Sequence, residues 1–160
     1  MMCLFQSLRV FALCFGWALY TGLGSGCSSL PEERLQTVDF TSSSTGSNVV
    51  TLRLKALITE SEKAKGLMFE PSVPQNGGVL LVYDQEAERS IWMKNMKTPI
   101  DVIFLDAKGQ ITRLISRLEP CRKMPCRNFN AKKTKYIVET VPGFIKKHNL
   151  TQNKTKAKIK

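Results

Sequence analysis

Two carboxylates in apolar segments are the residues of this sequence best suited to acid–base chemistry. Asp101 lies in the segment "PIDVIF", and Glu139 lies in "YIVETV". A charge in such a segment needs a partner once the segment is buried. Either each carboxylate pairs with Lys or Arg or bonds backbone amides, or the two form a paired site beside Trp92 and Asn95. The candidate catalytic residues are Asp101, Glu139 and Asn95, and no reaction follows from them.

The cysteines give a second candidate for chemistry. Three of the five lie in the first 27 residues, whereas Cys121 and Cys126 form a Cys-x4-Cys pair. In an exported chain this pair is expected to form a disulfide, because redox-active thiols are typically spaced Cys-x-x-Cys. A zinc site needs about four ligands, and the chain has one histidine. We predict a disulfide, no metal and no cofactor.

Three methionines flank a polar corner that ends at a proline. Thioethers can bind Cu(I), but methionine in apolar surroundings usually fills a core. Trp92 can stack on a ligand or anchor the core, and we favour the core. The residues interpreted as the signature of either a pocket or a core are Met68, Trp92, Met93, Lys94, Asn95, Met96 and Pro99.

Other catalytic arrangements find no support in the sequence. A Ser-His-Asp triad is not arguable with a single histidine near the end of the chain. No Gly-rich phosphate loop or nucleotide fingerprint is present. A non-enzymatic protein is therefore the preferred interpretation, and an enzyme using the Trp92, Asn95, Asp101 and Glu139 region is the alternative.

The first 26 residues have the layout of a secretory signal. A weakly charged start precedes an apolar run from Val10 to Tyr20, and small residues precede Cys27. The end of this segment is typical of a bacterial lipoprotein cleavage site, in which Cys27 carries the lipid. An uncleaved membrane anchor and cleavage without lipid are the alternatives. Ser28 after the cysteine predicts the outer membrane, with the protein facing the periplasm.

The positive charge is concentrated in the second part of the chain. The formal net charge is +11, and residues 107–160 hold 15 Lys and Arg but only two acids, Glu119 and Glu139. Such a surface attracts anionic material. An anionic envelope polymer is the candidate partner besides the membrane, while nucleic acid ranks last because aromatic residues are not regularly interleaved with the basic ones. The alternative is a solvated surface that aids solubility.

Apolar periodicity predicts several strands. Residues 49–58 alternate as in a half-buried strand, and residues 79–83 form a continuous apolar strand. A turn at residues 106–109 joins two further strands as a hairpin. Residues 84–88 are expected to form an acidic turn and residues 119–135 an irregular loop. The predicted strands cover residues 49–58, 79–83, 100–105, 111–118 and 135–141.

Only short helices are expected between these strands. Thr59 and Glu62 fit a capping box, and Gly66 ends that helix within two turns. The resulting fold class is mainly β: a single compact β-sandwich or barrel-like domain with one or two short helices. We assign residues 1–26 to the signal peptide, 27–48 to a lipidated tether with a short strand, 49–150 to the β domain, and 151–160 to a basic tail or weak last strand.

Six ordered blocks of this sequence resemble a bacterial and archaeal family known only as domain of unknown function 192. The longest is "IWMKNMKTPIDVIFLDAKGQI", preceded by "KGLMFE", "NGGVLLVYD" and "ERS" and followed by "PCRKMPC" and "YIVETVPGF". The resemblance covers residues 49–150. It implies a β-rich fold and no established reaction. Together with the signal sequence it predicts an envelope lipoprotein that binds a ligand or partner.

Overall fold

The computed structural model describes residues 34–42 and 45–160 of the chain. Alternating and continuous apolar segments form strands here, and the mainly β prediction is confirmed. The elements are β1 (Leu35–Ser42), β2 (Asn48–Leu57), α1 (Glu60–Lys65), β3 (Gly78–Ile91), β4 (Ile100–Leu105), β5 (Ile111–Leu118), β6 (Phe129–Thr140), α2 (Phe144–Lys147) and β7 (Thr155–Ile159).

The seven strands form one curled sheet, a half-barrel, in the order β5-β4-β6-β3-β2-β1-β7. Neighbouring strands are antiparallel except β2 and β3. The two edges meet where Gln110 bridges Lys156 and the Ala157 N–H donates to the Gly109 carbonyl at 2.8 Å. A side chain on residue 109 would lie 2.0 Å from the Ala157 carbonyl oxygen, so glycine is required at this junction.

Both faces of the curled sheet bury apolar side chains. The inner cluster takes residues from all seven strands and from α2, which places it on the concave side. The outer cluster packs on the convex side of β3 to β6 and is covered by Leu67, Met93 and the segment at Cys121. Every residue of β4 is buried because the strand contributes to both clusters. The sheet therefore has an apolar layer packed on each of its two faces.

Two expectations about loops are wrong. Residues 84–88 continue β3 instead of forming a turn; they are exposed, and the pairing of β3 with β6 shifts between Val82 and Ala87. The irregular loop expected up to residue 135 ends earlier, because β6 begins at Phe129. In both cases a segment rich in polar residues is part of a strand. Pairing between β3 and β6 stabilises the extended backbone there, although the segment buries few apolar side chains.

The first short helix has the ends that the sequence predicts. Thr59 and Glu62 form the expected capping box at the start of α1. After α1, Gly66 adopts φ = 49°, a value that glycine accepts without strain. Asn149 follows α2 with φ = 50°, a left-handed conformation that asparagine adopts more readily than most residues.

Asp101 joins α2 to the sheet. Its carboxylate is fully buried and accepts hydrogen bonds from the backbone N–H groups of Arg117 at 2.7 Å, Gly143 at 3.0 Å and Ile145 at 2.7 Å. These donors belong to β5 and to the first turn of α2, whose amides have no partner within the helix. Asp101 thus follows the structural alternative, in which the carboxylate bonds backbone amides.

The expected signal peptide, the lipid attachment at Cys27 and most of the tether lie outside the described residues. Within residues 34–42 and 45–160, no helix is long and apolar enough to cross a membrane.

Replacing Asp101 by Ala is expected to lower the free energy of unfolding by about 3 kcal/mol, because three backbone N–H groups, of which that of Ile145 is buried, lose their acceptor. Asp101→Asn should cost less, since one carbonyl oxygen remains. Urea unfolding measures both. Asp84→Ala is the matched control, because it removes the same charge from an exposed position. Equal losses in the two alanine variants would contradict the structural role of Asp101.

Candidate functional site

The strand register separates the two candidate carboxylates. Asp101 lies opposite Thr140, and Glu139 lies opposite Val102. Residues directly opposite each other in an antiparallel pair project to the same face, and successive residues project to opposite faces. Asp101 therefore faces the inner cluster and Glu139 the outer one, so the alternative of a paired site beside Trp92 and Asn95 is not formed.

Glu139 is a buried carboxyl with little support from the protein. It is 7% exposed, and its Oε2 accepts one hydrogen bond, from the Leu67 N–H at 3.3 Å. In the part of the chain that the structure describes, no cation forms an ion pair with it. Burial raises the pKa of Glu139 to about 7, and the Leu67 amide opposes this only in part.

A cleft of about 170 Å³ opens beside Glu139. It lies between the segment from α1 to Met68 and the strand end that carries Trp92. Apolar and polar groups contribute almost equally to its walls, so a small molecule could make both apolar contacts and directed polar contacts there. The lining comprises the apolar side chains Leu67, Met68, Leu81, Ile91 and Met96 and the polar or aromatic ones Glu60, Lys63, Tyr83, Ser90, Trp92 and Glu139, together with Ala64, Lys65 and Gly66.

Trp92 lies at the cleft and is 42% exposed, so the expectation that it anchors the core is wrong. Ile91 and Met93 on either side of it are buried. Because side chains alternate along an extended segment, burying both neighbours turns Trp92 outward. The Lys94 Nζ lies 5.2 Å from the centroid of the indole ring, within the range of a cation–π contact.

Backbone contacts position the polar corner after Trp92. Asn95 adopts φ = 58°, which this residue type tolerates at tight corners. Its carbonyl accepts the Phe69 N–H at 3.0 Å, and its amide Nδ2 lies 3.9 Å from the Met68 sulfur. The Met93 carbonyl accepts the Cys121 N–H at 3.0 Å. Asn95 thus joins the corner to the segment after α1, and it does not line the cleft.

The methionines do not share one site. Met68 and Met96 line the cleft, whereas Met93 is 2% exposed and packs in the outer cluster. Pro99 is half-buried at the end of the corner. Among the described residues, no three His, Cys, Asp or Glu side chains are grouped as metal ligands.

Two cations near the cleft, Lys63 and Arg89, have partners within the chain. The Lys63 Nζ lies 2.7 Å from the Glu60 carboxylate, donates to the Val82 carbonyl at 3.3 Å and lies 4.6 Å from the Tyr83 ring centroid. The Arg89 guanidinium packs on the same ring at 4.1 Å. Burial raises the pKa of Tyr83, against the opposing effect of Arg89. These groups bound the cleft without making an ion pair to Glu139.

The remaining predicted features lie away from the cleft. Cys121 and Cys126 form a disulfide with their Cα atoms 5.7 Å apart. The basic residues Lys108, Lys156 and Lys158 border a separate groove where the sheet edges meet. Sequence reasoning named Glu139, Trp92 and Met68 but missed that Gly66 and Leu67, 72 or more positions away, lie against the Glu139 carboxyl. The block "KGLMFE" was the available signal.

The stability of the native protein should fall between pH 5 and pH 8 because of Glu139. The folded carboxyl has a pKa of about 7 against an ordinary value of 4.5, so the folded state binds more protons in this window and stability decreases as the pH rises. The pKa difference corresponds to about 3 kcal/mol. Urea unfolding at several pH values measures the decrease.

Glu139→Gln isolates this contribution, because it keeps the shape of the side chain and removes the titration. The His148 pKa is lowered by burial, which makes stability rise with pH, but His148 is present in both proteins and cancels in the comparison. Glu70→Gln, at an exposed position, should retain the native decrease. If the native protein and Glu139→Gln lose the same stability over this range, the assignment to Glu139 is wrong.

Two solved structures are similar to this fold. A putative transcription regulator from Sinorhizobium meliloti superimposes with a TM-score of 0.72 at 18% identity, over 81% of this chain and 97% of that one. A protein of unknown function from Novosphingobium aromaticivorans gives 0.67 at 20%, over 79% and 84%. At these identities the likeness is one of fold.

No curated protein has significant sequence similarity to the chain. The model of the domain of unknown function 192 family, described as "Uncharacterized ACR", matches residues 41–156, and the chain belongs to this family.

Proposed function

We propose that this protein is an exported, lipid-anchored binding module of the cell envelope, without catalytic activity, whose cleft takes a small ligand through Glu139. The observation that carries the proposal is the Glu139 carboxyl itself: buried, beside an open cleft, and supported by one backbone N–H. A carboxyl in an apolar setting is unfavourable unless donors compensate for lost water. A ligand that donates hydrogen bonds supplies that compensation.

The arrangement around Glu139 favours binding over catalysis. Acid–base catalysis on a substrate commonly uses a second positioned group, and Asp101 lies on the opposite face of the sheet. The Lys63 ammonium is held by Glu60 and the Val82 carbonyl. The enzyme alternative, built on Trp92, Asn95, Asp101 and Glu139, thereby loses the convergence on which it depended.

The anchored location is supported by the sequence before the sheet. The signal-like segment ends at Cys27, and β1 begins at Leu35. Residues 28–34 span at most about 25 Å when extended. A lipid on Cys27 would therefore hold the half-barrel close to the membrane surface, with a second acyl chain needed for firm anchoring.

Cys27→Ser is expected to block lipid attachment and maturation in the native bacterial host. The variant should keep the mass of the precursor, and globomycin should have the same effect on the native protein. Intact mass and membrane fractionation measure both. Cys14→Ser is the matched control within the same segment and should mature normally. A native protein with no lipid mass, released with the soluble fraction, would contradict the proposal.

A small ligand of the cleft should raise the melting temperature of the native protein but not that of Glu139→Gln. At a tenfold excess over Kd, the added stability is about 1.4 kcal/mol, or roughly 5 °C for a domain of this size. The panel is methyl pyranosides, amino acids, choline and ethanolamine, and nucleosides, tested by calorimetric melting.

Glu70→Gln should respond as the native protein does, because its side chain lies outside the cleft. Failure of every solute class to stabilise the native protein would contradict a binding role for the cleft, and so would equal stabilisation of native protein and Glu139→Gln.

A further inference from the structure

We infer that the ligand of the cleft is a sugar: one pyranose ring of an envelope glycan, stacked on Trp92 and donating hydroxyl hydrogen bonds to Glu139. This inference rests on the proposed function and names its ligand class. It is carried by three properties of the cleft, namely the half-exposed indole, the available carboxylate oxygen and the sign of the surrounding charge.

The indole ring of Trp92 offers an apolar surface at the cleft opening. The Lys94 ammonium lies over one face of the ring and 42% of the residue is exposed, so a ligand would stack on the other face. The face of an aromatic ring is the negative end of its quadrupole, and the C–H groups on one face of a pyranose carry small positive charges. A sugar therefore stacks on such a ring through apolar contact and weak electrostatics together.

Glu139 supplies the acceptor that a sugar needs. Its Oε2 accepts the Leu67 N–H, and none of the described residues donates a hydrogen bond to Oε1. A carboxyl oxygen has more than one acceptor site, so vicinal hydroxyls of a sugar can bind to it. The side chains of Met68, Leu81 and Met96 line the cleft beside these bonds and offer apolar contact to the ring.

The volume and charge of the cleft further restrict the class of ligand that it can bind. About 170 Å³ admits one six-membered ring rather than a whole oligosaccharide. Two acids, Glu60 and Glu139, and two lysines, Lys63 and Lys65, line the cleft, so its lining carries no net formal charge. The chain as a whole carries +11, which disfavours the approach of an organic cation, and an anion would lie against the Glu139 carboxyl. A neutral polyol meets neither of these repulsions.

The test uses the full chain carrying Trp17→Phe, which leaves Trp92 as its single tryptophan. Methyl glucoside, methyl galactoside and methyl N-acetylglucosaminide are titrated against its fluorescence, with choline and guanosine as competing probes. We expect at least one pyranoside to shift the emission and saturate. By titration calorimetry, Glu139→Gln and Trp92→Leu should each weaken that affinity about tenfold or more, Trp92→Phe should weaken it less, and Glu70→Gln should leave it unchanged.

The outcomes separate the ligand class from the binding role. Saturation by choline or guanosine instead of the pyranosides, lost in Glu139→Gln, overturns the sugar inference and leaves the proposed function standing. Sugar binding that survives both Glu139→Gln and Trp92→Leu overturns this site. If no probe shifts the Trp92 emission or releases heat, the sugar inference falls, and the wider solute panel decides the proposed function.

Discussion

The rest of the structure depends on the hydrogen bonds that the buried Asp101 carboxylate accepts from three backbone N–H groups. They hold the first turn of α2 against β4 and β5, and Phe144 and Ile145 of that helix then complete the inner cluster. A packed inner face in turn fixes the pairing of β4 with β6. Because side chains alternate across those strands, the same pairing directs Glu139 to the outer face.

The cleft exists because the chain after α1, the end of β3 and the corner after Trp92 approach Glu139 without filling the space beside it. A Cβ on residue 66 would lie 2.9 Å from the Glu139 Oε2, so glycine lets the chain after α1 come within hydrogen-bonding distance of the carboxyl. The Asn95 carbonyl holds this segment from the other side through the Phe69 N–H. The carboxyl is thus held in place by backbone on one side and left open on the other.

Sequence reasoning succeeded where local rules decide the structure. The capping box at Thr59, the 106–109 turn and the alternation of β2 all depend on neighbours within a few residues. It left open whether Asp101 and Glu139 form a pair, because both strands bury residues on both faces and periodicity then does not show which face a residue occupies. Which carboxylate faces the cleft is set by a register between segments about 38 positions apart. The exposure of Trp92 is likewise set by tertiary contacts, because its neighbours Ile91 and Met93 are the residues that pack in the outer cluster.

The lysine-rich last strand has a consequence of its own for assembly. One side of β7 pairs with β1, while its other side is bonded in the described residues only near Gly109 and Gln110. Such an edge is a template for a strand from another molecule. Lys156 and Lys158 project outward from it, and their ammonium groups would lose water if a second strand docked. The repeated lysines therefore disfavour edge-to-edge aggregation of the half-barrel, whether or not they also bind an anionic partner.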